Sequence, residues 1–391
     1  MTMPFTPEFS FYLEGGDNPV CPGDDVWRSP LPLERSISLE RAPQSAAPST
    51  GDYFRALSSF FAQDQGRHLV ETLPGDVLAA RPQSAAIHIH LVKHGACYHP
   101  ALVRIQIGER RFYRAANVAV STQGKAVIAE EVAALRHLQA LGEDLLPRVY
   151  GMAENIGPHK MAVFLADWLD GFYEWHFTGG GADQLCRRVV VWDPVHGEYH
   201  LSAAQTADLF RRTAAVHTRF YDVASSAHVA RWHHGAGDFI IRPAGSAGVD
   251  VRLISVRRYA PLVDTARLMP EDLIDTLLLF MVDLTLKNRV DRMDGVGSMA
   301  LYEIAAVAWT VEGFFEGLTH QVRAGQLPAD FAQGFLAFIK AIKVDDIHQL
   351  TSALVDRLPA GSEARALYAR HCRQHGAALR TAISLMRLSL S

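Results

Sequence analysis

The feature that most narrows the possible folds is the order of segments between Ile87 and Leu165. Ile87–Val92, Leu102–Ile107 and Phe112–Val120 are rich in β-branched or aromatic residues, and turn formers in Gly95–Pro100 and Gly108–Arg110 separate them. Such side chains fit a pleated, half-buried surface, so the three segments read as antiparallel strands. Glu130 to Leu141 then sets Val132, Leu135, Leu138 and Leu141 at helical spacing, with Gly142 as a stop. Val149–Met152 and Met161–Leu165 supply two more strands around Asn155–Pro158. The expected order is β-β-β-α-β-β, an antiparallel sheet with one amphipathic helix behind it.

The flanking sequence differs in character. Residues 1–81 read as an extension of turn formers, such as Gly15–Pro19 and Ala42–Ser45, around one helical segment, Tyr53–Gln63. Within that helix Phe54, Leu57, Phe60 and Phe61 recur at intervals suited to one apolar face. Residues 82–170 hold the sheet. From 171 to 391 the reading is mainly helical, apart from a loop and hairpin over 229–258. Ser202–Gln205 has the form of a capping box that opens a helix to about Asp222. Later helices are expected over Asp272–Val290, Met299–Val322, Ala329–Ala341 and Ala364–Leu388. At 391 residues the chain exceeds the usual limit of one hydrophobic core, which agrees with an α+β protein of two bodies.

Several function classes are disfavoured. A formal charge of -4 gives no broad cationic field, so nucleic acid is not an expected partner. The apolar run Leu277–Leu286 contains Asp283 and falls short of the about 20 residues that cross a bilayer, so no membrane span is expected. Glu8 and Glu14 interrupt the N-terminus, which therefore does not read as a signal peptide; a cytoplasmic protein is expected. Cys21, Cys97, Cys186 and Cys372 form no C-x-x-C pair and read as reduced thiols.

Local wording adds to the element order. Glu131–Leu138 (EVAALRHL) looks like a helix bearing an ion-pairing glutamate, Phe164–Gly171 (FLADWLDG) like a linker between lobes, and Ala214–Thr218 (AAVHT) like the end of a long helix before a catalytic loop. On these segments the stretch from Ile87 to about Pro261 resembles the aminoglycoside phosphotransferase and lipopolysaccharide-core sugar kinase branches of the kinase-like superfamily. That resemblance implies a two-lobed protein-kinase-like fold, with an N-terminal antiparallel sheet lobe and a mainly helical C-terminal lobe. It also implies ATP and magnesium as cofactors.

The resemblance assigns roles residue by residue. Anchoring on Gly237–Ile241 puts Asp238 where the family has its metal-binding asparagine or histidine, and His233 where it has the aspartate base, with His234 beside it. Ser255 stands where the second metal carboxylate is expected, followed by basic residues Arg257 and Arg258 that resemble the sugar-kinase branch. The phosphate-anchoring lysine is absent from the third strand, where Asn117 occupies the register; Lys93 in the first hairpin is the substitute cation, with Glu131 as its partner. Phosphoryl transfer depends on positioning and on cations that offset charge on the transferred group, so the loss of a magnesium ligand weighs heavily.

Each residue also has a bland reading. Glu131 serves as an exposed helix residue, Lys93 as a solvated strand residue, Ser255 as a partner for local backbone, and His233 and His234 as a polar loop packed beside Trp232. His88 and His90 share a strand face and, with His94 and His99, raise a transition-metal alternative. Gly179–Gly181 reads as a flexible loop, and Asp294–Gly297 as a turn between two helices. Three functions follow: a kinase-like phosphotransferase acting on a small hydroxylated molecule such as a sugar; a pseudokinase that binds a nucleotide or metabolite or scaffolds a protein partner; or a pocket rebuilt around the histidines.

Overall fold

The structure is a computed structural model, and it describes residues 6–13, 15–31, 47–80, 82–95, 97–141, 144–179, 188–230, 232, 235–264, 269, 272–295 and 297–388. The Ala42–Ser45 turn, Gly142, Gly180, Gly181, Cys186, Arg231, His233, His234 and Val296 lie outside the described residues. The chain divides into two compact units, Met1–Asp170 and Gly171–Ser391. The first is rich in antiparallel sheet and the second is mainly helical. Among the described residues no helix is long and apolar enough to cross a membrane.

In the first unit the elements are β1 (Thr6–Leu13), α1 (Asp25–Arg28), α2 (Thr50–Ala62), α3 (Arg67–Val70), α4 (Gly75–Ala79), β2 (Ser84–Leu91), β3 (His99–Ile107), β4 (Arg110–Ala119), α5 (Thr122–Gln139), β5 (Val149–Ile156) and β6 (Met161–Asp167). One six-stranded sheet runs in the order β1-β2-β3-β4-β6-β5. All its neighbours are antiparallel except β1 and β2, which pair in parallel from Thr6 opposite Ser84 to Leu13 opposite Leu91.

The stretch expected to be an extension is therefore part of this body. β1 supplies the sheet edge, and α2 covers one face with Tyr53, Phe54, Leu57, Phe60 and Phe61, all at 0% exposure. These pack in one cluster with Ile87, Ile89, Val103, Ile105, Ala116, Val118, Val163 and Leu165. Ser49 caps α2 through a reciprocal box with Asp52, each side chain bonding the other's backbone N–H. Because strand side chains alternate, Ala115, Asn117, Ala162, Phe164 and Ala166 point to the opposite face. α5 packs on β4, β5 and β6, and its buried Ile128, Val132, Leu135 and Leu138 stand outside the α2 cluster, so α5 covers that second face. It begins at Thr122, eight residues before the expected start, under a Ser121 cap.

The second unit comprises β7 (Trp175–Thr178), β8 (Arg188–Val191), β9 (Tyr199–His200), α6 (Ala203–Arg219), β10 (Ala227–Val229), α7 (Gly235–Asp238), β11 (Phe239–Ala244), β12 (Gly248–Leu253), β13 (Tyr259–Pro261), α8 (Leu273–Lys287), β14 (Val290–Arg292), β15 (Met299–Leu301), α9 (Ala306–Arg323), α10 (Ala329–Ala341), α11 (Val344–Asp356) and α12 (Glu363–Leu385). It carries more strand than expected: β7-β8-β9 form a small sheet, and β14 pairs with β15. The turn at Asp294–Gly295 joins those two strands and does not connect two helices; both residues are at positive φ, 50° and 71°. The expected helix from Met299 accordingly starts at Ala306.

α6 opens on the capping box expected at Ser202 and Gln205. It lies parallel to α9 at backbone-contact range, since a Cβ on Gly313 would stand 1.8 Å from the Arg211 carbonyl and one on Gly317 2.5 Å from Thr218 Cβ. Buried Asn288 ties the bundle. Its amide donates to the Phe210 carbonyl and to Thr310 Oγ1, both at 2.9 Å, and its oxygen accepts from Thr213 Oγ1. Tyr221, Phe280 of α8, Phe314 of α9 and Phe335 of α10 follow one another in contact, with centroids 4.3 to 6.2 Å apart, the first pair stacked and the others tilted.

Candidate functional site

In the second unit the candidate centre is the turn before β11. Gly237 sits at φ 85°, a conformation that favours glycine, and the chain then enters Asp238 and the strand. The Ile254 N–H donates to the Asp238 carbonyl at 2.8 Å, which fixes this turn against the end of β12. Asp238 is wholly buried. Arg257 Nη1 donates to its Oδ2 at 3.0 Å, and Nη2 lies 2.8 Å from Oδ1 but off the hydrogen-bond direction. The Arg257 side chain is 21% exposed, so the pair reaches from the interior to the surface. Ser255, between them in sequence, is also buried.

Aromatic rings gather at Phe239, the residue after Asp238. His217, from the last turns of α6, lies with its ring centroid 4.0 Å from that of Trp232 and 5.1 Å from that of Phe239. Burial holds the His217 pKa well below its usual value, with smaller contributions from His228 and Lys287. His228 on β10 is pushed down to about 4, again mainly by burial. Both rings are neutral at neutral pH. Sequence reasoning passed over both as candidate groups. The signal for His217 was its place in the AAVHT segment, where it falls on the apolar stripe of α6 with Phe210 and Ala214.

The other candidates lie in the first unit. Asn117 stands on β4 opposite Pro100 of β3 and Phe164 of β6. Lys93 is half-buried just beyond β2, where the Val92 N–H donates to the Pro100 carbonyl at 3.0 Å. Val92 and Asn117 both meet Pro100, so Lys93, next to Val92, and Asn117 lie toward one end of the sheet, with β3 between them. Glu131 is on α5 at 0% exposure, which corrects its reading as an exposed helix residue. It lies on the face of α5 that meets the sheet, the same side as Asn117.

His94 and His99 approach within 3.2 Å through their Nδ1 atoms, and Tyr12 bonds His88 and stacks on His90 with centroids 4.4 Å apart. Burial lowers the His99 pKa to about 4. The four histidines form separate pairs, and among the described residues no group of three or more His, Cys, Asp or Glu side chains is placed to hold a metal.

These donors do not suit magnesium. Octahedral coordination draws on one or two carboxylates. Here the one carboxylate on the turn already neutralises a guanidinium, and the adjoining position is a neutral serine. A cation arriving at Asp238 would have to displace Arg257 and leave that charge without its partner. No protein-family model matches this chain, and no curated protein matches it at a significant level.

Proposed function

We propose that the chain is a kinase-like protein that does not transfer phosphate and acts by binding, as a pseudokinase. The observation that carries this reading is the Arg257–Asp238 pair, which occupies the carboxylate a metal would need. The kinase-like part rests on the resemblance together with the element order: an antiparallel sheet with one helix after its third long antiparallel strand, then a helical body in which a long helix leads to a turn and hairpin. Burial of Glu131 fits the same reading, since a carboxylate within a helix face is tolerated inside a protein only when cations or donors meet it.

A phosphotransferase acting on a small hydroxylated molecule is the second reading, and the position of Asp238 immediately before the β11–β12 hairpin favours it. Calorimetric titration of the full chain with ATP, with and without magnesium, separates the two. A pseudokinase gives ATP heats that are absent or unchanged by metal, while Ser255→Asp combined with Arg257→Ala acquires metal dependence. Metal-dependent binding in the native chain that is lost in Asp238→Asn would overturn the proposal and start a search for the acceptor.

A further inference from the structure

On the sheet face opposite α2, α5 packs on β4, β5 and β6, and the remaining half, from β1 to β3, presents half-buried polar side chains. Paired strand residues share a face, so the register sets these side chains in rows. One row runs Ser10, His88, Arg104, Tyr113. Tyr12 and His90 stand in the row on one side of it, Gln106 and Arg111 in the row on the other. Arg104 is half-buried, its Nε is buried with no acceptor, and among the described residues no hydrogen bond, ion pair or aromatic ring engages its fork.

A simpler account has Arg104 extend its stem along the sheet and its fork into water. The rest of the molecule argues against it, because every other buried or half-buried arginine among the described residues has at least one partner. Arg114 on the neighbouring strand donates to the Thr72 and Tyr113 carbonyls, Arg257 to Asp238, Arg289 to the Tyr302 carbonyl and Arg380 to the Lys340 carbonyl. Around Arg104 the directly opposed groups are a histidine and a tyrosine, with no carboxylate. Burial first, and then the Arg104 charge, lower the pKa of both His88 and His90, so these rings are neutral near pH 7 and can each donate one hydrogen. The nearest acids stand at the rim: Glu8 in the row of Ala86, and Asp17, which acts weakly on His90 in the opposite sense. Arg111 lies on the diagonal from Arg104, roughly 7–8 Å away. Two guanidiniums at that spacing match a phosphate monoester, which carries about -1.5 to -2 charges and three acceptor oxygens, better than a singly charged carboxylate.

We propose that the β1 to β3 half of this face binds the phosphate group of a small phosphate monoester, with Arg104 as its main contact and Arg111, His88 and His90 around it. The proposal goes beyond the pseudokinase reading and does not depend on it. A nucleic-acid strand is the less suited occupant, since it needs a run of cations and the chain as a whole carries -4. Inorganic phosphate titrated into the full chain at fixed ionic strength is the test, read by the ring C–H resonances of His88 and His90 in NMR spectra. Saturable shifts of both rings are expected, with affinity reduced roughly tenfold or more in Arg104→Gln, the loss of a charged hydrogen-bonding partner. Arg111 is exposed, so Arg111→Gln leaves the sheet intact, and its weaker binding stays informative even where Arg104→Gln unfolds. Glucose 6-phosphate and AMP, titrated in the same way, separate a sugar phosphate from a nucleotide, and at least one should bind more tightly than inorganic phosphate. Absence of saturable shifts, equal affinity for sulfate, unchanged affinity in either variant, or tighter binding of a single-stranded oligonucleotide than of both monoesters would each overturn the assignment.

Discussion

Arg257 and Asp238 form an ion pair at 2.8 Å in which the carboxylate is fully buried and the guanidinium is about one-fifth exposed. Such a pair adds little over apolar packing while intact, but its separation strands a charge in the interior. Arg257→Ala is expected to cost about 3–5 kcal/mol of the second unit's stability, with Asp238→Asn in the same background restoring part of it. Urea unfolding measures both. A single-variant loss within about 0.5 kcal/mol of the native value would mean that the pair does not hold the turn.

Gly313 offers a second measure of the same unit. An alanine there would press its methyl into the Arg211 carbonyl, a backbone atom that moves only if α6 and α9 separate. Gly313→Ala should destabilise by about 1–3 kcal/mol, as overpacking does. Gly334 in α10 has open space at its Cβ, so Gly334→Ala should stabilise by about 0.5–1 kcal/mol through helix propensity alone. Opposite shifts in thermal midpoint support the close seam, and matching shifts contradict it.

Much of the sheet was legible because Ile87–Val92, Leu102–Ile107 and Phe112–Val120 state their β character locally. The parallel edge was not. Phe9, Phe11 and Leu13 do alternate, but their pairing with Ile87, Ile89 and Leu91 spans more than seventy positions of chain, and no local pattern encodes that. β14 and β15 are three residues each, too short to display a period. At the candidate site, Glu131 gave a signal that propensity reasoning passed over: it falls on the stripe Ile128, Leu135, Leu138, a position that meets the sheet. The pairing of Asp238 with Arg257 depends on the tertiary turn set by the Ile254–Asp238 hydrogen bond, which residue types nineteen positions apart do not announce.

The first unit should fail when α2 loses its anchor. Phe54 is fully buried, 4.9 Å from Phe11 of β1 and 5.9 Å from Trp27 by ring centroids. Phe54→Ala removes one of the contacts that join the sheet edge to its covering helix, the Phe9–Phe61 pair being another, and should cost about 3–5 kcal/mol. Hydrogen exchange should show protection falling in β1 and β2 together. Unchanged protection in β1 would mean that the edge strand is held without α2.

Acid stability provides the last prediction, since the buried histidines are held neutral. Burial depresses His375 to about 3 and His228 to about 4 in the second unit. The His375 tautomer follows from its partners: Arg289 Nη1 donates to Nδ1 at 3.1 Å, so the proton is on Nε2, which donates to Thr285 Oγ1. A protonated ring would present a second donor to a guanidinium, which the site does not accommodate. Above pH 6.5 these rings are neutral folded or unfolded and pH has no effect through them. Below it the unfolded chain binds protons that the folded chain refuses, so stability falls down to the folded values. Each histidine should contribute about 1.4 kcal/mol per pH unit between pH 6.5 and 4, and the second unit at least twice that, with His217 acting in the same direction. Urea titrations at pH 7.5 and pH 5 measure the slope. His375→Gln keeps an acceptor for Arg289 and a donor for Thr285 while removing one titration, so its slope should be shallower by one proton; a slope equal to the native one would show that His375 is charged in the folded protein.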